Sequence, residues 1–453
     1  MRQVAAQVAQ NGDASVVGKQ EEGAGVVFIN LPAALQRAGL ANATVAFADE
    51  LVRQRQAEEL QARALLFPNV NVGANVRSHR GTYLRARGNL LDADIQSTYA
   101  GLGAGARGAG PLAVPGVLLV SHLADAVYAP RAARQKVAES RSDANATRQY
   151  TLLEVGVAYL ALAEAQARLT AYEQSRREFG EIERLTTNFV KPGQGRDADA
   201  KRAISEALLL QGQAQQAREA LGVAAADLAR LLDLDPSEPL RAADGTPPIL
   251  ELVNRAVPLP TLLDQAFAAH PEIAARTAEV AFQQTRLRQE RVRPFLPLIA
   301  IGFSAGDYAG SGDNTISRPG DYLGRTDLDV VAVWSLQNLG AGNLSVQRVA
   351  DANLQMARLS LTRTFERVRQ EVAQAHALVA ARRQELVLAR RRIELSRRAY
   401  EEDLVRVKNN QGRPLEVLAS ARQLAEGRQS LVRAMIGYSQ AQLQLFTALG
   451  NTP

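Results

Sequence analysis

The sequence predicts a mainly α-helical fold with a smaller β part, in which one structural unit occurs twice. Three observations predict it: a heptapeptide repeated about half a chain apart, two long stretches with the pattern of paired helices, and four short stretches in which apolar and polar residues alternate. Only 5% of the 453 residues are aromatic, which is typical of long helices rather than of one large globular core.

The heptapeptide belongs to a longer internal repeat. VKPGQGR occupies Val190–Arg196 and VKNNQGR occupies Val407–Arg413, and further upstream LPAALQRA (Leu31–Ala38) resembles LPTLLDQA (Leu259–Ala266). A Pro-rich stretch separates the two copies and indicates a linker. We therefore expect an irregular lead-in over residues 1–30, a first repeat over 31–235, a linker over 236–258 and a second repeat over 259–449.

Two long stretches indicate helical hairpins. From Leu361 to Val407, residues three and four apart are mostly apolar or alanine, which is typical of a coiled-coil seam. A helix of about 60 residues is roughly 90 Å long, too long for one globular core. We expect antiparallel hairpins over residues 131–234 and 341–449, with the heptapeptide at each tip. Pro192-Gly193 is a turn dipeptide, and Asn410 stands where Gly193 stands in the other copy.

Four segments predict β-strands, over residues 66–78, 117–127, 296–308 and 327–336. In Leu66–Ser78 valines take one face and asparagines the other, and Thr326–Leu336 alternates similarly. This pattern fits transmembrane strands around a wet lumen, but also a soluble sheet with one buried face. Four strands cannot close a barrel, and an open edge is not tolerated in lipid. If the strands span a membrane, copies of the chain must complete the sheet.

Composition excludes several classes of function. The chain has no cysteine, which excludes disulfides and thiolate metal sites and, for the chain as given, an acyl anchor on an N-terminal Cys. Its net charge is +6, but the basic residues, including the run Arg390–Arg398, alternate with acidic ones along helices. We therefore expect solvated helix faces rather than a nucleic-acid partner. The sequence has no run of about 18 apolar residues, so it predicts no transmembrane helix. The N-terminus lacks the apolar core of a signal peptide, so either a signal is missing from the chain or the chain is intracellular.

No motif predicts catalysis, a cofactor or a metal site. GAGARG (Gly103–Gly108) matches a dinucleotide-binding pattern, but Pro111 and Pro115 follow it where a helix would be needed, so we expect a flexible external loop between strands. The four histidines fall in different elements without ligand spacing. The sequence does not predict an enzyme.

In the order of its elements, the sequence resembles the TolC-like outer-membrane efflux channel family. The resemblance covers nearly the whole chain after residue 30. It depends on the helix-to-strand proline in LLFPNVNV and FLPLIAI, on WSLQNLGAG (Trp334–Gly342), and on a carboxylate six residues past each tip. The order of these features, present twice, carries the resemblance more than any one of them.

The resemblance implies the assembly. Such proteins are homotrimers in which four strands per chain form a 12-stranded β-barrel in the outer membrane of a Gram-negative-type bacterium. Twelve long helices form an α-helical barrel across the periplasm, with terminal and linker segments in an equatorial region. They are passive ducts that work with a periplasmic adaptor, or membrane fusion protein, and an inner-membrane pump in tripartite efflux or type I secretion. The alternative is a soluble coiled-coil scaffold.

The resemblance also assigns roles to the tips. Asp199 and Glu416 would form carboxylate rings at the tunnel entrance, which favour cations; alternatively, they are favourable charges in the first turn of a helix. The tip residues, which could dock the adaptor or simply be solvated, are Gly193, Gly195, Arg196, Asn410, Gly412 and Arg413. Asn410 departs from the usual glycine.

Overall fold

A computed structural model describes residues 26–104, 114–190, 196–311, 322–409 and 411–453. The helices of these residues are α1 (Leu31–Ala41), α2 (Ala43–Ala64), α3 (Leu123–Val190), α4 (Asp197–Leu231), α5 (Leu259–Ala269), α6 (Pro271–Val292), α7 (Ala341–Lys408) and α8 (Pro414–Ala448). Their strands are β1 (Val27–Ile29), β2 (Asn69–Val70), β3 (Val72–Leu84), β4 (Leu90–Ala104), β5 (Val114–Pro115), β6 (Val117–His122), β7 (Leu240–Ala242), β8 (Leu298–Ser311) and β9 (Leu323–Val333).

The helix lengths repeat. Helices α1 to α4 have 11, 22, 68 and 35 residues, and α5 to α8 have the same four lengths. Both short helices carry a proline in their first turn, where its missing N–H is not needed. Asn42 and His270, each with an extended backbone, end α1 and α5 at equivalent places. The predicted mainly α-helical, duplicated fold is confirmed.

The chain divides into two compact units, each drawn from both sequence repeats. The first unit combines Met1–Glu50, Arg141–Ala274 and Thr362–Pro453, and the second combines Leu51–Ser140 and Ala275–Leu361. The two halves of the sequence are therefore not the compact units, because each half contributes residues to both.

The first unit is held by a helical core. Buried residues of α3, α4 and α8 meet in it, among them Leu152, Tyr159, Leu228 and Leu443. The core also includes β1 and β7, which pair in parallel from Val27↔Leu240 to Ile29↔Ala242. The expected lead-in and linker thus each contribute a short strand. Three-residue strands carry no periodicity that the sequence could reveal.

The predicted seam on α7 is buried. Val368 and Val372 have no exposed surface, and Leu386 and Tyr400 are also buried. The arginine run Arg390–Arg398 occupies mostly exposed positions between seam residues, with ion pairs such as Arg398 to Glu394 at 2.6 Å. This helix therefore has a packed seam and a solvated charged face, as the sequence predicts.

The second unit contains an antiparallel sheet. β4 and β6 follow one another along the same side of β8, with Leu102↔Ala305 and then Val117↔Phe303. β3 pairs with β4, and β9 pairs with the other side of β8. Within the described residues, β3 pairs on one side only and so does β9. β2, which leads into β3, also pairs on one side only, with β6, so β2 and β3 form one edge of the sheet and β9 forms the other.

The strands differ most from the prediction in two places, and two limits also shift: β3 runs past 78 to Leu84, and β9 spans Leu323–Val333 instead of 327–336. The sequence analysis did not predict β4, and the turn between β3 and β4 lies at residues 85–89, where Arg85 N–H donates to the Asn89 carbonyl at 3.0 Å. Gly103 and Ala104 belong to β4, whereas the rest of the expected Gly103–Gly108 loop lies outside the described residues.

The second difference is at the start of α3. The strand expected over 117–127 ends at His122, and residues 123–127 are the first turn and a half of α3 instead. We expected the helix only after Pro130, because proline removes a backbone donor and usually interrupts a helix. In the structure Pro130 lies inside α3, near its N-terminal end.

Candidate functional site

The two hairpin tips are equivalent where the structure describes them. The predicted tip residues Gly193, Gly195 and Asn410 lie outside the described residues. Arg196 and Arg413 precede α4 and α8 as extended N-cap residues, and neither forms a side-chain cap. Each returning helix therefore begins directly after the last residue of its own copy of the heptapeptide.

Gly412 lies against the end of α7. A Cβ atom at this position would approach Arg406 Cβ to 3.2 Å and Val407 Cγ2 to 3.3 Å, which is tighter than ordinary contact. The neighbouring Gln411 N–H donates to the Arg406 carbonyl at 2.8 Å and so closes the helix end. The glycine of this heptapeptide copy is therefore needed for a close approach of the chain.

Asp199 and Glu416 occupy the third position of α4 and α8. Asp199 Oδ1 lies 3.5 Å from Arg202 Nη1, and its side chain is 21% exposed. The Arg413 backbone N–H donates to Glu416 Oε2 at 3.3 Å. Both carboxylates lie near the free N–H groups of a helix start, which attract negative charge. The contacts of both carboxylates within one chain are therefore those expected of negative charges at a helix N-terminus.

A core of four helices supports the tips. Phe179 and Ile182 of α3, Leu210 of α4, Val407 of α7 and Val417 of α8 are buried together. Because residues of all four helices share this core, a change in one tip is resisted by the packing of both hairpins.

Ion pairs join the same helices. Arg428 of α8 donates to both oxygens of Glu178 on α3, at 2.6 and 2.7 Å, and to Ser175 Oγ at 3.1 Å. Lys408 Nζ lies 2.8 Å from Glu181 Oε1. Burial, with the nearby carboxylates of Glu178 and Glu181, raises the pKa of Tyr400 to about 12. The bidentate Arg428 pair fixes the orientation of α8 against α3.

One face of the sheet exposes apolar side chains. The register places Leu119, Ile301 and Val330 in one row across β6, β8 and β9. Val76 is 81% exposed and Val330 is 66% exposed. A soluble sheet has the opposite arrangement, with its apolar face covered and its polar face in water.

The other face carries polar groups that are partly covered. Arg325 Nε lies 3.1 Å from Asp327 Oδ2, and the Arg325 guanidinium lies over the Tyr308 ring. Tyr99 is buried, and its hydroxyl donates to the Leu102 carbonyl at 2.8 Å. Gly306 leaves room for this ring, since a Cβ atom there would lie 2.8 Å from the Tyr99 hydroxyl. Where β6, β8 and β9 lie side by side, the sheet is thus apolar on its open face, and charged side chains that are partly covered lie on the other face.

An ionic cluster at the start of α3 was missed by the sequence analysis. Arg293 donates to both carboxylate oxygens of Asp125 and, through Nε, to Glu290 Oε2 at 2.8 Å. Burial alone would raise the pKa of Asp125, but the Arg293 guanidinium lowers it overall. The cluster joins α3 to the segment before β8. Only the fold brings these residues together, so no spacing in the sequence reveals them.

Neither a metal site nor a spanning helix occurs in the described part of the chain. No group of three or more His, Cys, Asp or Glu side chains in it could hold a metal ion. Among its helices, none has both the length and the apolar character that crossing a bilayer requires.

Comparisons with known proteins identify the fold. No protein-family model and no curated protein sequence matches the chain. Solved structures do: the outer-membrane channel OprN (17% identity, TM-score 0.74, 93% of this chain and 90% of that one) and the Campylobacter jejuni CmeC outer membrane channel (15%, 0.73, 93% and 85%). The open state of the Neisseria gonorrhoeae MtrE outer membrane channel is similar too (17%, 0.72, 93% and 89%). The chain therefore has the fold of TolC-like outer-membrane channels, as its sequence predicts.

Proposed function

We propose that this chain is one of three subunits of an outer-membrane channel through which solutes leave the cell passively. The solutes would be drugs, other small molecules or a secreted polypeptide. The proposal draws on the fold that the chain shares with outer-membrane channels and on the two faces of its sheet.

The observation that carries the proposal is the exposure of the apolar face. Leu328 and Val330 on β9, and Val72 and Val76 on β3, are mostly exposed. Leaving such a row of side chains in water is unfavourable, whereas lipid covers it without loss. Polar groups on the opposite face suit the water-filled lumen of a barrel.

The two edge strands give a reason for assembly. β3 and β9 each present unpaired backbone groups on one side, and such groups cost several kcal/mol each in hydrocarbon. In the proposed trimer β9 of one chain pairs with β3 of the next, and 12 strands close without an edge. The helical hairpins of the three chains then form the duct that continues into the periplasm.

The tips are the proposed entrance. Threefold symmetry would place three copies of Asp199 and three of Glu416 around one axis. Such rings raise the local concentration of cations and repel anions. We propose that an adaptor protein docks at the tip residues, which include the exposed Arg196 and Arg413 and the half-buried Gly412. An inner-membrane pump would supply the energy, because the sequence shows no catalytic motif of its own.

A soluble coiled-coil scaffold is the second candidate. The buried seam of α7 favours it equally, because helical hairpins occur in both classes. The exposed apolar face of the sheet does not, since a scaffold in water gains nothing from it.

Extraction and reconstitution test the proposal. The purified protein should come from the membrane fraction only with detergent, migrate as an oligomer that heating dissociates, and show both helical and strand signals in circular dichroism. In a planar lipid bilayer it should give discrete conductance steps. A freely soluble, wholly helical monomer that never conducts would contradict the proposal and favour the scaffold.

A further inference from the structure

A cavity of about 330 Å³ lies between α3, α4, α7 and α8, within the first unit. Phe179 and Leu210 belong both to its wall and to the core that supports the tips. Binding sites for small molecules usually have volumes of roughly 300 to 1,000 Å³. The cavity is therefore large enough for a small organic molecule, and a ligand bound in it would contact both hairpins.

Part of the cavity wall is apolar. It is formed by Tyr172 and Phe179 of α3, Leu209 and Leu210 of α4, and Ala425 of α8. Leu209 is 51% exposed in the single chain, so this wall is open to an incoming ring. Aromatic and aliphatic side chains bind the hydrocarbon part of a ligand, because burial removes both surfaces from water. The cavity therefore suits a molecule with a ring-sized apolar body rather than a bare inorganic ion.

The charged residues of the wall give the cavity a net charge of +1, since they are three arginines and two glutamates. Arg392 Nη2 lies 3.0 Å from Glu426 Oε2. Arg422 Nη1 lies 3.5 Å from Glu206 Oε1. The third arginine, Arg433, contacts no carboxylate of the described residues, and its Nε donates instead to a backbone carbonyl one helical turn earlier, at 3.4 Å. The Arg433 guanidinium is thus the cationic group that remains for an anion.

A buried amide supplies a second polar contact. Gln429 lines the cavity and is only 9% exposed. Its Nε2 donates to the Arg168 carbonyl at 3.4 Å, whereas its Oε1 has no hydrogen-bond partner among the described residues. A buried acceptor without a partner is unfavourable, so a ligand that donates to it gains affinity. Gln429 precedes Arg433 by four residues, or about 6 Å along the helix, so one ring-sized ligand can reach both.

The neighbouring cavity carries the opposite charge. It has a volume of about 570 Å³, shares Tyr172 and Gln213 with the first cavity and extends further along α3 and α4. The charged residues of its wall are one arginine and three carboxylates, which gives a net charge of −2: Arg168, Glu164, Glu219 and Asp227. An anion is therefore favoured in the first cavity and disfavoured in the second.

We propose that the cavity beside Arg433 binds a small amphiphilic organic anion, namely an aromatic hydroxy acid. Its carboxylate pairs with the Arg433 guanidinium, and its hydroxyl donates to Gln429 Oε1. Its ring packs against Tyr172 and Leu209. One chain supplies every residue of this site, so the inference does not depend on the proposed channel function. Because the ligand contacts helices of both hairpins, binding stabilises the folded first unit.

Equilibrium dialysis of the detergent-solubilised, full-length protein tests the site, with empty micelles as the blank. The probe is para-hydroxyphenylacetate. It is compared with phenylacetate, which lacks the hydroxyl, and with para-hydroxyphenylacetamide, which lacks the charge. We expect saturable binding of the hydroxy acid and binding of each analogue that is weaker by about threefold to tenfold. The hydroxy acid should also raise the midpoint of thermal unfolding as its concentration rises.

Four variants assign the contacts. R433Q should weaken binding of the hydroxy acid by about threefold to tenfold and abolish its advantage over the amide. Q429M should abolish its advantage over phenylacetate, whereas E206Q removes a competing carboxylate and should tighten binding by about twofold. The control R391Q changes an exposed arginine of α7 that does not line the cavity, and it should bind like wild type. Three results would each overturn the site, whether or not the protein conducts: no saturable binding above empty micelles, equal binding of acid and amide, or R433Q indistinguishable from R391Q.

Discussion

Two neighbouring valines on β9 give a matched test of which face meets lipid. Val330 belongs to the exposed apolar face, whereas Val331 points to the opposite face, and they are 66% and 42% exposed in one chain. We compare V330K with V331K, which make the same chemical change one residue apart. If both faces met water, neither change would matter much, because substitutions of exposed residues are usually within about 0.5 kcal/mol of neutral.

The expected size follows from the geometry. Val330 lies four residues before Trp334, or about 13 Å along the strand at roughly 3.3 Å per residue. At a strand tilt near 40° this is about 10 Å along the membrane normal, close to the middle of an apolar band about 25 Å tall. A lysine there costs about 2 to 4 kcal/mol, or about 30-fold to 1,000-fold in the folding equilibrium per chain. V331K, facing the lumen, should remain within about 1 kcal/mol of wild type.

The assay is denaturant unfolding in lipid vesicles, followed by Trp334 fluorescence and by the heat-sensitive oligomer on gels. We expect V330K to lower the midpoint strongly and V331K to change it little. Equal midpoints for the two variants, or a larger loss for V331K, would refute the assignment of the Val330 face to lipid.

Three further predictions concern the first unit. D199N combined with E416Q should lower the cation preference of single channels, while the control D264N on α5 should not; unchanged selectivity in the double variant would mean that these carboxylates do not line the entrance. R428M should destabilise the protein by about 1 to 3 kcal/mol, because it leaves the partly buried Glu178 without its arginine partner. Adding E178L should recover part of this loss in a double-mutant cycle. Strictly additive effects of the two changes would contradict the coupling. Burial lowers the pKa of His270 below its usual 6.5, with a smaller contribution from Arg367 and against the opposing effect of Glu272. Below that pH the folded state therefore binds fewer protons than the unfolded one, and stability is lost as the pH falls. H270N, which installs the residue found at the equivalent Asn42, should reduce the loss of thermal stability between about pH 7 and about pH 5; an identical loss in both proteins would refute this assignment.

The sequence predicts the helices better than the strands for a physical reason. A seam such as that of α7 repeats over many turns, so an exception like Arg382 does not hide it. A strand shows its pattern over a few residues only. β4 was missed because its part nearest the turn with β3 carries Asp92, Asp94 and Gln96 on the same face that is apolar elsewhere in the sheet. The cross-strand pair of Arg80 with Asp94, at 3.2 Å, becomes visible only once the register is known.

The candidate sites divide in the same way: local features are visible in the sequence, whereas contacts between distant residues are not. The heptapeptide identifies the tips because turn residues and a following carboxylate are local features. The proposed role of Asp199 and Glu416 as carboxylate rings is not a local feature, because it depends on the neighbouring chains. Within one chain, the contacts of both residues are those of helix N-terminal charges. The ion cluster of Asp125 and Arg293 joins residues far apart in the chain. Spacing in the sequence carries no information on such contacts, which form only in the folded chain.

Cross-linking of the sheet edges tests the central claim most directly. The chain has no cysteine, so V76C on β3 can be combined in turn with T326C, L328C and V330C on β9 without background. β3 and β9 are opposite edges of one chain, so a disulfide between them reports contact between copies. We predict that oxidation of the membrane-bound protein yields bands of two and three chains and none larger. Failure of every pair to cross-link, or a ladder that continues past three chains, would contradict a closed trimeric barrel.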